Sequence, residues 1–271
     1  MVDAVRSESA IRLGAFVAVF VLMALWELLA PRRDQATRRV FRWPSNLALV
    51  ALNSGLVRLV FPISAVSAAA LVQQRGWGML NLLELGEWSR LVAAFLLLDL
   101  AIYLQHRLFH WLPIFWRLHR MHHADTEFDV TNGLRFHPLE ILLSMAIKFA
   151  VIAAVGAPAL AVLAFEVVLN ATAIFNHANA ALPARLDRAL RWILVTPDMH
   201  RVHHSVQQQE TDSNFGFNLP WWDRWFGTYR AQPLDGHVAM RIGLPQFRDR
   251  RWLRLDRLLV QPWANPDSDK V

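Results

Sequence analysis

Long apolar runs alternate with short polar segments along the first two thirds of the chain. Each run has roughly the 20 residues that an α-helix needs to cross a bilayer. The predicted spans cover residues 11–30, 45–72, 89–110, 138–156 and 158–177. The second run is too long for one upright helix and contains Pro62, so it predicts either one tilted, kinked span or a re-entrant pair. The pattern predicts an all-α, polytopic transmembrane helical bundle.

The chain divides into three regions by this pattern. Residues 1–88 are predicted to form an N-terminal transmembrane region, residues 89–230 a central region with three further spans, and residues 231–271 a cytosolic C-terminal tail. Within the tail, residues 241–263 interleave arginines with tryptophan and leucine. This mixture predicts either a helix lying on an anionic membrane surface or a helix packed against the cytosolic cap.

Arginines set the expected orientation. Five of them lie between Pro31 and Pro44, just after the first span. Positive residues stay on the cytosolic side, so the first span should run from outside to inside. If residues 45–72 cross once, every histidine then faces the cytosol, whereas a hairpin there would break that agreement. The compact, arginine-rich chain favours the bacterial inner membrane, or the endoplasmic reticulum if the protein is eukaryotic.

Composition narrows the chemistry. The 271 residues include no cysteine, which excludes disulfides, cysteine-ligated zinc and iron–sulfur clusters held by four cysteines. Only 18% of the residues are charged, and the formal net charge is +6. Because the positive charge accompanies apolar runs, it favours a lipid bilayer over nucleic acid as the partner.

Histidine is the most informative residue type. Ten of the eleven histidines fall between residues 106 and 204, and two H-x2-HH triples stand among them. Residues three and four apart share a helix face, so the pair at 106 and 110 and each triple present several imidazoles together. The candidate metal ligands are His106, His110, His119, His122, His123, His137, His177, His200, His203 and His204. Ten imidazoles exceed what one ion can hold, so we expect a dinuclear site.

The ligand type favours one class of metal chemistry. The sequence has neither the Glu-x-x-His pairs of carboxylate di-iron bundles nor the H-E-x-x-H helix of zinc proteases. Neutral nitrogen ligands with few carboxylates favour a non-haem di-iron centre that activates O2 over a hydrolytic zinc site. A membrane metal transporter and a bis-histidine haem electron-transfer protein are the alternatives, although neither accounts for ten histidines at helix ends.

The motifs resemble those of the fatty acid hydroxylase/sterol desaturase superfamily of integral-membrane, histidine-rich di-iron oxygenases. The resemblance extends from about Asp99 to Tyr229, and it implies that residues 89–230 form the catalytic region. Its motifs are D-L-A-I-Y-L-Q-H-R-L-F-H (99–110), L-H-R-M-H-H (118–123), R-F-H-P-L-E (135–140), F-N-H-A-N (175–179), P-D-M-H-R-V-H-H-S (197–205), D-S-N-F-G (212–216) and W-D-R-W-F-G-T-Y (222–229).

The resemblance implies a function. The ten histidines would hold two iron ions at the cytosolic ends of the helices, with zinc possible in isolated protein. O2 as cosubstrate and two external electrons would then hydroxylate or desaturate a fatty acyl or sterol-like lipid. The chain shows no electron-donor motif, so a separate electron-donor protein or reductase is expected.

Several polar residues near the motifs are candidate supports for the ligands. The set is Asp99, Tyr103, Asn176, Asn179, Asp212, Asn214 and Asp223. We expect Asp99 to accept a histidine N–H, with a buried hydrogen bond between helices as the alternative. For the last three, helix capping is the alternative.

Other charged or titratable residues receive structural interpretations. Asp125, Glu127 and Asp129 are expected to be solvated loop charges, and His237 a surface residue. Within the apolar runs, Arg58 and Lys148 are expected to extend towards the interface and Glu166 to face the bundle interior.

Overall fold

The computed structural model describes residues 7–265, which fold into thirteen α-helices joined by loops and short 3-10 turns. The α-helices are α1 Glu8–Leu29, α2 Trp43–Val60, α3 Ala65–Gln74, α4 Glu87–Trp111, α5 Pro113–His123, α6 Pro138–Val155, α7 Ala159–Asn176, α8 Ala184–Leu190, α9 Pro197–His203, α10 Gln208–Thr211, α11 Trp221–Trp225, α12 Gly236–Ala239 and α13 Leu255–Val260. Extended pairing within residues 7–265 is confined to two isolated bridges. The all-α prediction is confirmed.

Five segments are long and apolar enough to cross a membrane. They are α1, the segment Trp43–Asn81 that contains α2 and α3, and helices α4, α6 and α7. Their outward faces are apolar; on α1, for example, Leu13 and Leu29 are 64% and 84% exposed. Such surfaces are stable against hydrocarbon because each helix satisfies its own backbone polar groups. The chain is therefore an integral membrane protein, as predicted.

The second apolar run forms two consecutive helices that continue in one direction along α6. Helix α2 ends at Val60 before Pro62, and α3 begins after Ser64. Contacts with α6 follow in one direction: Asn53 Nδ2 donates to Phe136 O near the start of α6, and the Phe61 ring packs on Phe149 at 5.2 Å. Beyond α3, Gly78 reaches Gly156 at the end of α6. This course agrees with the kinked-span alternative.

Two glycines join loops at one end of the bundle. Gly78 has φ +91° and Gly156 has φ +74°, a left-handed backbone that glycine adopts without strain. A Cβ added to Gly78 would lie 2.2 Å from Gly156 N, so only glycine fits there. This contact holds the loop before α4 against the α6–α7 turn.

The opposite end carries the histidines. Helix α4 finishes there after His110, α6 starts there after His137, and α7 finishes there before His177. A cap made of α5 and residues 178–265 covers this end. The geometry agrees with the prediction that the histidine motifs share one membrane face.

The C-terminal segment packs on the cap. Residues 241–263 form a 3-10 turn, helix α13 and a second 3-10 turn rather than one long helix. Trp252, Leu253 and Leu258 are buried, and Arg120 Nη2 donates to Gln261 O at 2.6 Å. Of the two predicted arrangements, the packed one is observed.

One ion network lies inside the membrane-spanning part. Glu166 on α7 is 2% exposed and contacts Lys148 Nζ at 2.7 Å and Arg12 Nη1 at 3.1 Å. The prediction that Glu166 faces the interior is confirmed. The prediction for Lys148 is wrong, because its ammonium group points inward to this carboxylate.

Candidate metal centre

Nine of the ten predicted ligands come together in two groups. The five-histidine group consists of His106, His110, His119, His123 and His203. The four-histidine group consists of His122, His177, His200 and His204. Within each group, one nitrogen per ring lies within 4.8 Å of the others. Both groups are enclosed: the His110 side chain is 3% exposed, and each of the other residues is at most 4% exposed.

The sequence motifs divide between the groups. His122 and His123 are neighbours on α5 but belong to different groups, and so do His203 and His204 at the end of α9. Adjacent helical residues point about 100° apart, so each triple supplies ligands to both groups. The two triples therefore face each other across the space between two sites.

Hydrogen bonds fix the tautomers in the five-histidine group. The Nδ1–H of His106 donates to Phe215 O at 2.7 Å, and that of His119 donates to Glu140 Oε1 at 2.7 Å. When Glu140 is ionised, each neutral ring then carries only a lone pair on Nε2. These two Nε2 atoms are nevertheless 3.1 Å apart.

A shared cation would account for this approach. Two lone pairs cannot bond each other, but ligands at right angles around one ion, each at about 2.1 Å, lie about 3 Å apart. His110 Nε2 and His123 Nε2 are similarly spaced, at 3.2 Å. In addition, His203 Nε2 is buried without a hydrogen-bond partner. The residues present therefore fit a nitrogen-ligated metal ion.

The four-histidine group shows the same spacing. His177 Nε2 lies 3.2 Å from the Nε2 atoms of both His122 and His200. The His177 Nδ1–H donates to Ala173 O at 2.7 Å, so its Nε2 also carries a lone pair. His204 Nε2 is buried without a partner. A second ion fits here.

Burial keeps these rings neutral. It lowers the pKa of His119 and of His177 to about 3, and it is also the main cause that holds the pKa of His200, His203 and His204 well below the usual range. A neutral imidazole is the form that binds metal. The enclosed chamber therefore favours ligation over protonation.

His137 belongs to neither group. Its Nδ1 accepts from Leu139 N at 3.2 Å and so caps the start of α6, while its Nε2–H donates to Leu259 O at 3.1 Å. Its ring packs edge-on against Trp263 at 5.6 Å. Both nitrogens are therefore engaged in joining α6 to the C-terminal segment.

Two carboxylates contact ligand histidines directly. Asp212 Oδ1 accepts from His110 Nδ1 at 3.2 Å, so this predicted support hydrogen-bonds a candidate metal ligand. Glu140, which the sequence interpretation missed, accepts from His119 and is 3% exposed. The only sequence signal was its place in the 135–140 motif, three residues after His137.

Asp223 acts one step further away. It is fully buried and accepts from Phe215 N at 2.8 Å, Gly216 N at 2.9 Å and the Thr228 hydroxyl at 2.7 Å. These bonds hold the loop whose Phe215 carbonyl accepts the hydrogen bond from His106. Burial raises the pKa of Asp223 to about 6, which leaves it ionised near pH 7.5.

The remaining predicted supports do not bond a histidine. Asp99 accepts from Trp222 Nε1 at 2.7 Å and from Leu219 N at 3.3 Å, so the expectation of a histidine partner is wrong and the helix-to-cap bond is observed. The other residues bind cap or loop groups: Tyr103 with the Thr228 hydroxyl, Asn176 with Phe217 O, Asn179 with Arg33, and Asn214 with Met199 and Arg230.

The acidic loop after the first triple is buried, not solvated. Asp125 and Asp129 bind Arg42 at 2.7 Å and 2.6 Å, and all three side chains have no exposed surface. Glu127 is 5% exposed and accepts from Thr37 N at 2.8 Å. The prediction failed because these partners precede the loop by more than 80 residues.

His237 is also buried rather than on the surface. It is 6% exposed, and its Nε2 lies 3.7 Å from Asp198 Oδ2. Asp198 in turn binds Arg32 at 3.1 Å and Arg201. The helical turn that carries His237 therefore packs inward on the start of α9.

Aromatic rings wall the chamber. Phe136 stacks on His122 at 4.5 Å and Phe128 on His177 at 5.5 Å. Trp116, at 4.9 Å from His110, covers the five-histidine group from the side of α5. Such walls exclude water from the space between the histidines, which suits oxidative chemistry better than hydrolysis.

About half of the chain is similar in sequence to a known protein family. Residues 91–228, about half of the chain, match the family model described as fatty acid hydroxylase. The chain belongs to the fatty acid hydroxylase family. The predicted superfamily is thereby confirmed.

The named relatives are a hydroxylase and monooxygenases, which are oxidoreductases. The chain is 27% identical to ornithine lipid hydroxylase OlsE of Rhizobium tropici over 84% of this chain and 69% of that protein. It is 30% identical to the alkylglycerol monooxygenases of Xenopus tropicalis and Homo sapiens, over 56% and 52% of this chain. It spans only 34% and 30% of their lengths. No solved structure matches.

Proposed function

We propose that this protein is a membrane-bound di-iron oxygenase that hydroxylates a lipid. The observation that carries the proposal is the convergence of five enclosed imidazoles, one nitrogen from each lying within 4.8 Å of the others. A second, adjacent group of four histidines supports a dinuclear rather than a mononuclear site. Family membership supports oxygenase chemistry for this pair of sites.

The protein supplies ligands, orientation and a dry chamber. When bound, two irons would activate O2 so that one oxygen atom enters a C–H bond and the other leaves as water, with two electrons and two protons completing the balance. His106 and His119 are aimed by Phe215 O and Glu140, which hold the proton on Nδ1 and leave Nε2 free. The aromatic walls keep bulk water away from the reacting carbon.

The substrate is proposed to be a membrane lipid. The names of the relatives denote an ornithine lipid and an alkylglycerol, and both are hydroxylated or monooxygenated. These names favour hydroxylation over desaturation. A substrate chain would approach within the bilayer, because the histidine end adjoins the apolar surfaces of α4, α6 and α7.

The setting of the reaction is part of the proposal. Five arginines after α1 favour a cytosolic histidine face, in a bacterial inner membrane or, in a eukaryote, the endoplasmic reticulum. A separate electron-donor protein on that side would supply the two electrons. Zinc could replace iron in isolated protein, since imidazole ligands suit both metals.

The geometry favours an oxygenase over the alternatives. A transporter needs ligands along a pathway near the bilayer midplane, whereas these nine histidines are sealed at one end of the bundle. A bis-histidine haem site needs two facing rings and leaves seven of the nine unused.

The test combines metal analysis with isotope labelling. Protein prepared without oxygen exposure should contain two irons per chain. Cells supplied with ¹⁸O2 should yield a lipid carrying one ¹⁸O atom, whereas desaturation would remove two hydrogens without adding label. His203→Ala should abolish the product, and the exposed Arg254→Ala should not. Iron-free wild-type protein together with unlabelled lipids would refute the proposal.

A further inference from the structure

Carboxylates are distributed unequally behind the two histidine groups. In the five-histidine group, His119 Nδ1–H donates to Glu140 at 2.7 Å and His110 Nδ1–H donates to Asp212 at 3.2 Å. Glu140 is 3% exposed, so little solvent screens the charge that its carboxylate carries when ionised. Two of the five rings therefore have a carboxyl group as their direct outer partner.

A third carboxylate reaches this group through a peptide group. Gly216 N–H donates to Asp223 Oδ2 at 2.9 Å, and the carbonyl of the same peptide, Phe215 O, accepts from His106 Nδ1–H at 2.7 Å. An anion at the N–H end polarises the amide and makes its oxygen a stronger acceptor. Asp223 thus acts on His106 without touching it.

The glycine in this link is required by space. A Cβ added to Gly216 would lie 2.8 Å from Asp223 Oδ2 and 2.9 Å from Leu219 O. A side chain at position 216 would therefore push the peptide away from Asp223. The close approach of this loop to the carboxylate depends on the glycine.

The four-histidine group has no comparable support. His177 Nδ1–H donates to Ala173 O, a neutral carbonyl of its own helix. In the described residues, 7–265, Nδ1 of His122 and Nδ1 of His200 are buried without a hydrogen-bond partner. None of these three rings hydrogen-bonds a carboxylate, and Asp129 acts on His177 only through space.

We propose that Glu140, Asp212 and Asp223 make the five-histidine group the tighter of two unequal metal sites, with Asp223 acting on His106 through the 215–216 peptide. The inference rests on the proposed function, because it requires both groups to hold a metal ion. A carboxylate that accepts a ring N–H raises the basicity of the opposite nitrogen and helps to balance the charge of the cation. The five-histidine group also has one more imidazole than the four-histidine group, which adds to the difference in metal affinity.

The experiment measures metal retention, not turnover. Detergent-purified full-length protein is loaded with Zn²⁺ alone, challenged with increasing chelator, and analysed for bound metal. Wild-type protein should release one equivalent at low chelator and a second at a distinctly higher concentration. His204→Ala should remove the weak step and His123→Ala the tight one, which assigns each step to a group.

Carboxylate variants then test the cause. Glu140→Gln and Asp223→Asn keep side-chain size and should move the tight step about 10–100-fold towards lower chelator, leaving the weak step in place. Asp212→Asn should cause a smaller shift, because that carboxylate is 45% exposed. Glu127→Gln is the matched control: it removes a buried charge whose hydrogen bond goes to a backbone amide, and it should move neither step.

The outcomes separate the two proposals. A single release step for both equivalents, or equal shifts of both steps in the carboxylate variants, would overturn the unequal sites while leaving a dinuclear centre. Wild-type protein that retains no metal would reject the proposed function itself. If Asp223→Asn fails to accumulate, the surface variant Asp212→Asn still decides, since an unchanged tight step would contradict the inference.

Discussion

Arg42 binds both carboxylate oxygens of Asp125, with Nε–Oδ1 at 2.7 Å and Nη2–Oδ2 at 3.0 Å. Arg42 immediately precedes the second span, and Asp125 lies two residues after the first histidine triple. Arg42 Nη1 also donates to Asp129 at 2.6 Å. The ion network therefore anchors the loop that carries Phe128 over His177 to the N-terminal helices.

Removing Arg42 should destabilise the protein strongly. Arg42→Ala leaves two buried carboxylates without their shared cation, and breaking a buried pair in this way costs about 3–5 kcal/mol. Thermal unfolding in detergent should show a large fall in melting temperature. Arg254→Ala is the control, because its pair with Asp256 is 72% and 56% exposed and should contribute little. Equal melting temperatures for the two variants would contradict the role given to the network.

Histidine variants should divide by group membership rather than by motif. His203→Ala and His122→Ala should each lose one metal equivalent and all turnover, because each removes a ligand from an enclosed group. His137→Ala should retain both equivalents, since both of its nitrogens bond other residues. Metal content at matched membrane levels checks this. Loss of metal from His137→Ala with retention in His203→Ala would reverse the assignment.

Metal removal should lower stability. Without a cation, the five-histidine group holds five imidazole nitrogens within 4.8 Å of one another with no shared partner. A ligand present at a thousand times its Kd stabilises a folded protein by about 4 kcal/mol. Chelated protein should therefore melt at a lower temperature, and added Fe²⁺ should restore it. The double variant His122→Ala/His203→Ala should respond to chelator less than the wild type does.

His237 should contribute to acid sensitivity. Burial lowers its pKa to about 4, although the nearby Asp198 opposes the shift. Because the folded state holds this proton less tightly than the unfolded state, stability is unaffected above pH 6.5 and falls as the pH drops from 6.5 towards 4. His237→Gln should show a smaller loss of melting temperature between pH 7.5 and pH 5 than the wild type. An identical pH dependence would indicate that the buried ring plays no part.

Topology can be tested with single cysteines, because the chain has none. Gln209 is exposed at the histidine end, and Glu84 is exposed near the loop that precedes α4. In intact cells, an impermeant thiol reagent should label Glu84→Cys and spare Gln209→Cys. Permeabilised cells should show labelling of both. The reverse pattern in intact cells would place the histidines outside.

The sequence predicted the fold class and the histidine-rich end because both depend on local periodicity. Apolar runs indicate spans directly, and the triples identify metal-binding chemistry. Local spacing could not divide neighbours such as His122 and His123 between two groups, because that depends on which helix each ring faces. It also could not separate His137 from true group members, since its partner Leu259 lies 122 residues away.

Charged loops were the main error, for a related reason. Asp125 and Asp129 look solvated in their own sequence neighbourhood, but Arg42 makes them buried partners from a distance of more than 80 residues. Glu140 was missed in the same way, because its role depends on His119 in another helix. Buried polar pairs between distant segments need the tertiary arrangement before they can be assigned.

The contact between Gly78 and Gly156 lies at the end of the bundle opposite the histidines. Helix α4 begins nine residues after Gly78, and His106 lies nineteen residues beyond Glu87, about 29 Å along the axis. Helix α7 starts three residues after Gly156, and His177 follows its other end. Over helices of this length, a small tilt at the glycines would displace the imidazoles by ångströms. The alignment of the histidines is therefore set partly by two residues at the opposite end of the bundle.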